Sequence, residues 1–533
     1  IALGNLAFDQ LVDVKLAAKD IRGGWFRSEK YDCVVYPMDP TWRLVRNPET
    51  IDRFTIDLRQ IKVMQNDVRG IHVERIAQNY QTIDTRAKLI ELIRFLKEKN
   101  YCVISVDCEW AGNNHVDGKL RSIQLSWQPG EAAYIRFMDD KINYALDCSY
   151  AEAGQIMAEH LDQPNVKYVG HHISADLPWM SHVLGLKWYQ KCQLDTEFAT
   201  QVVDEHADRA LERIGMAYTD LGRYDVDLLL WKKSHKMDPE EGYGRIPDEI
   251  LIPYACRDVD VVIRAYSYIM RRLIMEDTWN YYNDILHPLV TDVFTEFALQ
   301  GLPMDVKQMD DLRRLYSYAR DELEKELLTM IVKEAREYLW KRFAEVFGHL
   351  AKPIFLEVEQ MVQGEQNVEG ARTLLQQKAG LKGWKVLHAT FDHYVHAPNF
   401  KLRSTDDKRR WLFDVKGYTP IKTTPNKEKG MPSMPWEKVL EKKPEQQAEY
   451  NPSTDQQSLQ ILSETHSDDT LRKLLQLNSV GNICKGFMKE ADLDKDGEVK
   501  KENGLHYWLC SDSRIHNQYS CTETGRIARL HFP

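Results

Sequence analysis

Tyr101-Cys-Val-Ile-Ser-Val-Asp107-Cys-Glu109-Trp110 is an apolar, β-branched run that ends in acids. Such a run reads as a buried strand. Residues i and i+2 of a strand face the same side, so Asp107 and Glu109 project into one place. Alone, an Asp-x-Glu is also an ordinary polar strand end. Downstream, Leu120-Arg-Ser-Ile-Gln-Leu-Ser-Trp127 and Ala132-Ala-Tyr-Ile-Arg-Phe137 read as further strands, with Gly and Pro between them. Alternating helical and short apolar segments follow to about residue 275. That order predicts an α/β domain with a mixed sheet.

Two more acidic segments belong with the first. Asp176 lies in Tyr168-Val-Gly-His-His172-Ile-Ser-Ala-Asp176-Leu-Pro-Trp179, where a strand is expected to end at Gly170. A helix is expected to begin near Ser174, with Ser174 as its cap. Asp176 in a first turn also suits the helix dipole without any chemistry. Tyr254 and Asp258 lie in Ile252-Pro-Tyr-Ala-Cys-Arg-Asp-Val-Asp260, with Pro253 placed at a helix start. Their i, i+4 spacing puts them on one helical face, as it would any surface Tyr–Asp pair.

In this order the three segments resemble the DEDDy class of 3′→5′ exonucleases, over about residues 100 to 270. The resemblance implies a ribonuclease H-like fold and catalytic residues Asp107, Glu109, Asp176, Tyr254 and Asp258. It implies two divalent ions, Mg²⁺ or Mn²⁺, taken by hard carboxylate oxygens. Asp107, Glu109 and Asp258 would hold the ion nearer the attacking water. Asp107 would bridge the pair, and Asp176 would help place the second ion through water. Tyr254, with Glu109, would orient the water. Asp195-Thr196 resembles the structural Asp-Thr of that fold. Where many relatives place Asn four residues before the third acid, this chain has His172, read as a nucleic-acid contact.

Beyond residue 275 the chain becomes helical and charged, with one or two long helices expected over Leu312–Phe347. Residues 418–450, rich in Pro, Lys and Glu, read as loop. His287-Pro-Leu-Val-Thr-Asp-Val-Phe-Thr-Glu-Phe-Ala-Leu-Gln-Gly-Leu-Pro-Met-Asp305 resembles the opening of the polymerase region of family A DNA polymerases, with Gly301 as a helix stop. Asn399 to Phe413, with Pro420-Ile-Lys-Thr-Thr and Pro432-Ser, is similar to the thumb of that family. Asp512 to Arg529 resembles the Thr-x-Thr-Gly-Arg segment leading to the palm. Thr522, Thr524 and Arg526 are donors suited to phosphate, Gly525 allows close backbone approach, and His516 joins them as a DNA contact. The Lys- and Arg-rich stretch Arg403–Arg410 suits backbone contact or a solvated face. The segment Leu474–Lys485 departs from the family pattern.

The resemblance implies a proofreading exonuclease in DNA replication, acting on primer–template duplex and single-stranded 3′ ends. The palm acids and the fingers helix do not occur before Pro533, so nucleotide addition is not expected of this polypeptide alone. A fragment, or a second polypeptide supplying palm and fingers, is expected. The readings kept beside it are a ribonuclease D-like RNA exonuclease, which Leu120-Arg-Ser-Ile-Gln-Leu also resembles, and a non-catalytic DNA-binding scaffold.

The 533 residues suggest three or four domains. The expected division is 1–95 as an accessory region, 96–275 as the exonuclease, and 276–533 as thumb and start of palm. A net charge of −10 does not mark a bulk polyanion binder, although basic residues can cluster locally. The nine cysteines form no CxxC pair and read as reduced thiols. No apolar run is long enough to span a membrane, and the start carries no secretory pattern, so a cytoplasmic protein is expected, in the host cell if phage-encoded. The absence of a preceding 5′ nuclease domain is reminiscent of phage enzymes. Ile1 and the final segment suggest trimming. Asp492-Leu-Asp-Lys-Asp-Gly-Glu-Val fits the start of a calcium loop, but its twelfth position is Asn503, so a solvent-exposed turn is expected.

Overall fold

The computed structural model describes residues 1–13, 20–68, 76–235, 242–426, 431–447, 449–487, 490–493, 499–521 and 527–529. They form two units, Ile1–Met304 with Trp508–Pro533, and Asp305–Tyr507.

The first unit is built on a six-stranded sheet. In chain order its strands are β1 (Asn79–Ile83), β2 (Val103–Ala111), β3 (Lys119–Gln128), β4 (Glu131–Arg136), β5 (Lys167–Gly170) and β6 (Cys192–Asp195). Their order across the sheet is β6-β5-β2-β3-β4-β1. β2, β3 and β4 form an antiparallel meander, while β5, β6 and β1 join it in parallel. This is the mixed, ribonuclease H-like sheet expected from the sequence.

Strand periodicity divides β2 between two layers. Ile104, Val106 and Cys108 enter the main core, together with residues of α1 (Arg86–Glu98) and α2 (Tyr150–Leu161). Ser105, Asp107 and Glu109 therefore face the opposite layer, where the long helix α3 (Asp248–Met275) lies across β2, β3 and β4. On that face Ala132 and Tyr134 of β4 pack against Ala255, Cys256 and Val259 of α3.

A buried acid fixes the helix there. Asp260 accepts hydrogen bonds from the Gly130 N–H at 2.8 Å, the Tyr80 hydroxyl at 2.7 Å and both arms of Arg264 at 2.8 and 2.7 Å. These partners tie α3 to the β3–β4 turn and to edge strand β1.

Several expectations are corrected. The sheet begins before residue 96, because β1 pairs with β4 and α1 covers the main core. Asn79-Tyr-Gln-Thr-Ile is polar and short, which hid it as a strand. Residues 276–533 are not one unit: Arg514-Ile515 pairs with Leu302-Pro303 inside the first unit. Pro253 lies inside α3 rather than at its start. Ser174 caps no helix; Ile173–Ala175 is a 3₁₀ turn, and Asp176 itself stands at the N-cap of the helix Leu177–Leu184. Gly301 does end the helix Phe294–Gln300, at φ +62°.

The second unit is helical. One 42-residue helix, Val306–Phe347, packs with Val368–His396 and Asp469–Phe487 around Leu327, Leu339, Leu387, Trp411 and Leu474. Lys416, buried against Trp411, pairs with Glu334 at 2.8 Å and Asp468 at 2.6 Å. Residues 418–450 are largely loop, with short helices at Trp436–Leu440 and Pro444–Gln447. In the basic stretch, Arg409 is held by the Pro452 carbonyl at 2.9 Å and by Thr424 at 3.1 Å. Glu490–Leu493 and Val499–Asn503 form an antiparallel pair; the calcium-like turn between them lies outside the described residues.

Removing the buried anchor should be costly. Asp260→Ala is expected to lower unfolding stability by about 3 kcal/mol, as when one partner of a buried ion pair is deleted. Urea unfolding followed by tryptophan fluorescence measures this, and an unchanged midpoint would remove the anchoring role.

Candidate active site

Three carboxylates meet between the sheet and α3. Ligand oxygens of Asp107, Glu109 and Asp258 lie within 4.8 Å of one another. Asp107 and Glu109 arrive by strand period, and Asp258 comes down from α3. Asp176 joins from the turn after β5, where its Oδ1 accepts the backbone N–H of Cys108 at 3.1 Å. That bond sets the third acid beside the strand residue between the first two. Tyr254, one turn before Asp258, hydrogen-bonds it.

Three supporting side chains escaped the sequence reading. The Tyr224 hydroxyl donates to Asp258 Oδ1. Lys232 donates to the Tyr243 hydroxyl at 2.7 Å, with its ammonium 3.9 Å from that ring's centroid, and its charge is felt by Glu109 and Asp258. Tyr243 is fixed to the end of β2 through its N–H and the Trp110 carbonyl, 3.0 Å apart. Its own carbonyl accepts from Arg121, whose guanidinium also pairs with Asp248 at 2.6 Å. These residues lie between the second and third motif segments, where no periodic pattern marks them.

Glu109, Asp176 and Asp258 are buried, and Asp107 is half-buried. Burial lifts Asp107 to about 7, and only the Cys108 N–H works against it. Burial, then the charge of Asp107, raises Glu109, Asp176 and Asp258 well above the carboxylate range. Burial also lowers Lys232, against the pull of Glu109 and Asp258. One ammonium beside four crowded acids leaves an excess of negative charge. Clustered hard oxygen donors with that excess fit divalent cations.

Residues 80–274 match the 3′-5′ exonuclease family. This segment is a 3′-5′ exonuclease domain. A DNA polymerase of Escherichia phage T5 is 28% identical over 228 residues, 40% of this chain and 26% of that protein. The match thus spans about a quarter of the length of that relative. Among solved structures, the POL domain of Pol1 from M. smegmatis, in complex with DNA primer-template and dNTP, aligns at a TM-score of 0.42 and 14% identity, over 85% of this chain and 54% of that one. Brucella melitensis NrnC aligns at a TM-score of 0.30 and 16% identity, over 42% of this chain and 94% of its own.

Asp195 has a structural place in the exonuclease domain. Fully buried, it accepts the N–H groups of His172, Ile173 and Glu197 at 2.9–3.0 Å. It thereby shapes the turn that leads to Asp176. Thr196 bonds the Gly170 carbonyl at 3.1 Å. His172, in the left-handed region at φ +50°, turns its Nδ1 to Glu197. Burial opposes its charge, but the bond to Glu197 and that residue's charge outweigh burial and raise it. His516 lies beside the helix Phe294–Gln300. Its Nδ1 meets the Ala298 carbonyl at 2.7 Å and its Nε2 meets Asp512 at 2.9 Å. Thr522, Thr524, Gly525 and Arg526 lie outside the described residues.

The charge excess gives a pH signature in metal-free protein. A carboxyl raised on folding binds more protons folded than unfolded, so stability is fullest in acid and falls as pH rises. For Asp107 the window runs from an unfolded value of about 3.9 to about 7. The melting temperature of chelator-treated protein is expected to fall across that window and to recover with Mg²⁺ or Mn²⁺. Asp107→Asn is expected to flatten the slope and shrink the metal-induced rise. Calorimetry that finds the same slope in the variant would contradict the charge-crowding account.

Proposed function

We propose that this chain removes nucleotides from DNA 3′ ends, using Mg²⁺ or Mn²⁺, as the proofreading part of a phage-type family A DNA polymerase working in the host cytoplasm. The observation that carries the proposal is the convergence of Asp107, Glu109 and Asp258 within 4.8 Å, inside a segment matching the 3′-5′ exonuclease family. Similarity to the T5 DNA polymerase supports the polymerase setting. Among the described residues no helix is long and apolar enough to cross a membrane.

Asp107, Glu109 and Asp258 would hold the cations, with Asp176 beside them. When bound, such ions lower the pKa of water and neutralise charge on the phosphate. Tyr254 is raised well above the ordinary phenol range, first by burial and then by Asp258, so it keeps its proton. Its hydroxyl is hydrogen-bonded to Asp258 and to Tyr243, and its oxygen would also accept from a water. Tyr254 therefore orients the nucleophile and does not deprotonate it. Glu109 offers the second acceptor for that water. Tyr224 and the Lys232–Tyr243 pair keep Asp258 and Glu109 in place.

The test is digestion of 3′-labelled single-stranded DNA, mismatched primer–template and RNA, with and without deoxynucleotides. Asp107→Ala is expected to lose about three orders of magnitude in rate, roughly 4 kcal/mol of barrier, while remaining folded. Tyr254→Phe is expected to lose about 10- to 100-fold with metal-induced stabilisation retained, the cost of a mispositioned nucleophile. Wild-type turnover in Asp107→Ala would overturn the site assignment. Preference for RNA would replace proofreading with RNA processing, and no digestion of any substrate would leave a scaffold. Extension with added deoxynucleotides would show that nucleotide addition needs no second polypeptide.

A further inference from the structure

Away from the carboxylate site, the first unit gathers a second set of ligand-type groups. Cys510 Sγ, an Asp512 carboxylate oxygen and a His516 ring nitrogen lie within 4.8 Å of one another. These are one soft donor, one hard donor and one imidazole, a mixture unlike the all-oxygen exonuclease set.

The contacts of His516 orient its ring toward Asp512. Its Nδ1 lies 2.7 Å from the Ala298 carbonyl, which can only accept, so Nδ1 carries the ring proton. Its Nε2 then faces Asp512 Oδ2 at 2.9 Å. A bare lone pair against a carboxylate is repulsive, so this pair needs a second ring proton or a metal ion between its members. A carbonyl-bound Nδ1–H with Nε2 turned inward is also how a metal-binding imidazole is oriented by its surroundings. The ring is firmly seated, since a Cβ at Gly301 would lie 2.7 Å from it.

An independent observation comes from another part of the chain. His115 is only 5% exposed, and its Nε2 has no hydrogen-bond partner among the described residues. Its ring meets His516 edge to face, with centroids 5.0 Å apart, and meets His182 at 5.2 Å. Cys510 is buried, and its sulfur meets the Trp508 carbonyl at 3.7 Å, the Asp117 side chain and the backbone N–H of His516. Asp512 is partly open to solvent, which gives an ion a way in.

We propose that Cys510, Asp512, His516 and His115 bind one zinc ion. Sulfur, imidazole and carboxylate together suit four-coordinate Zn²⁺ rather than Mg²⁺, with expected bonds of about 2.0–2.3 Å. Binding releases the Cys510 thiol proton to solvent, because a coordinated thiol is deprotonated. The ion fastens the Cys510–His516 segment to the loop carrying His115, at the point where the chain returns to the first unit.

The test uses the full chain, stripped with chelator and titrated with Co²⁺ and then Zn²⁺. One equivalent of cobalt is expected to give a sulfur-to-cobalt charge-transfer band and strong tetrahedral d–d bands, both displaced by Zn²⁺. Cys510→Ser should abolish the charge-transfer band, and Asp107→Asn should leave it intact. Should Cys510→Ser not fold, His115→Gln serves instead, with at least a tenfold loss of zinc affinity expected. Absence of the band in folded wild type, its persistence in Cys510→Ser, or unchanged zinc affinity in His115→Gln would each overturn the proposal.

Discussion

The first unit is organised around a repulsion. Glu109, Asp176 and Asp258 are buried and Asp107 is half-buried, and the charge of Asp107 raises the cost of ionising the other three. Such a cluster persists only where the surrounding fold determines its geometry more strongly than the charges oppose it. Here the opposite face of β2 supplies that strength. Ile104, Val106 and Cys108 are buried in the main core, so the register that exposes the acids to α3 is the register that satisfies the core. A one-residue slip would bury the acids in that core and lose both.

The other supports share this logic. Asp195 organises the turn before Asp176 through three backbone N–H groups, and Asp260 holds α3 through Gly130, Tyr80 and Arg264. Both are buried acids, yet their partners are donors. Asp107 has a single backbone donor among its influences, the N–H of Cys108. Buried acids with satisfied partners position the structure, whereas those with mostly like-charged neighbours are poised to take a cation.

This division explains what could be read from the sequence. Asp107 and Glu109 follow from a period of two, and Tyr254 and Asp258 from the helical period, because both pairs sit on one element. Asp176 was found by segment order, since only the turn after β5 brings it to Cys108. Tyr224, Lys232 and Tyr243 reach the site through tertiary placement alone, so no local pattern announces them. The edge strand Asn79–Ile83 was hidden for a related reason. Its partners are β4 and Asp260, and its own residues are too polar to signal a strand. Ser174 and Pro253 misled because cap and breaker preferences are weak beside packing.

His516 shows the limit most clearly. Its residue type suits a phosphate, and a sequence cannot reveal which groups its nitrogens face. In the fold, Gly301 and Ala298 seat the ring, and Asp512 faces its inner nitrogen. The unit thus holds two donor sets of different chemistry. Four carboxylates select hard cations that keep exchangeable water, which suits hydrolysis. Thiol, imidazole and carboxylate select a softer ion bound by protein groups alone, which suits a fastening. The first set lies between strand and helix. The second lies where Trp508 onward rejoins the first unit, beside the pairing of Arg514-Ile515 with Leu302-Pro303.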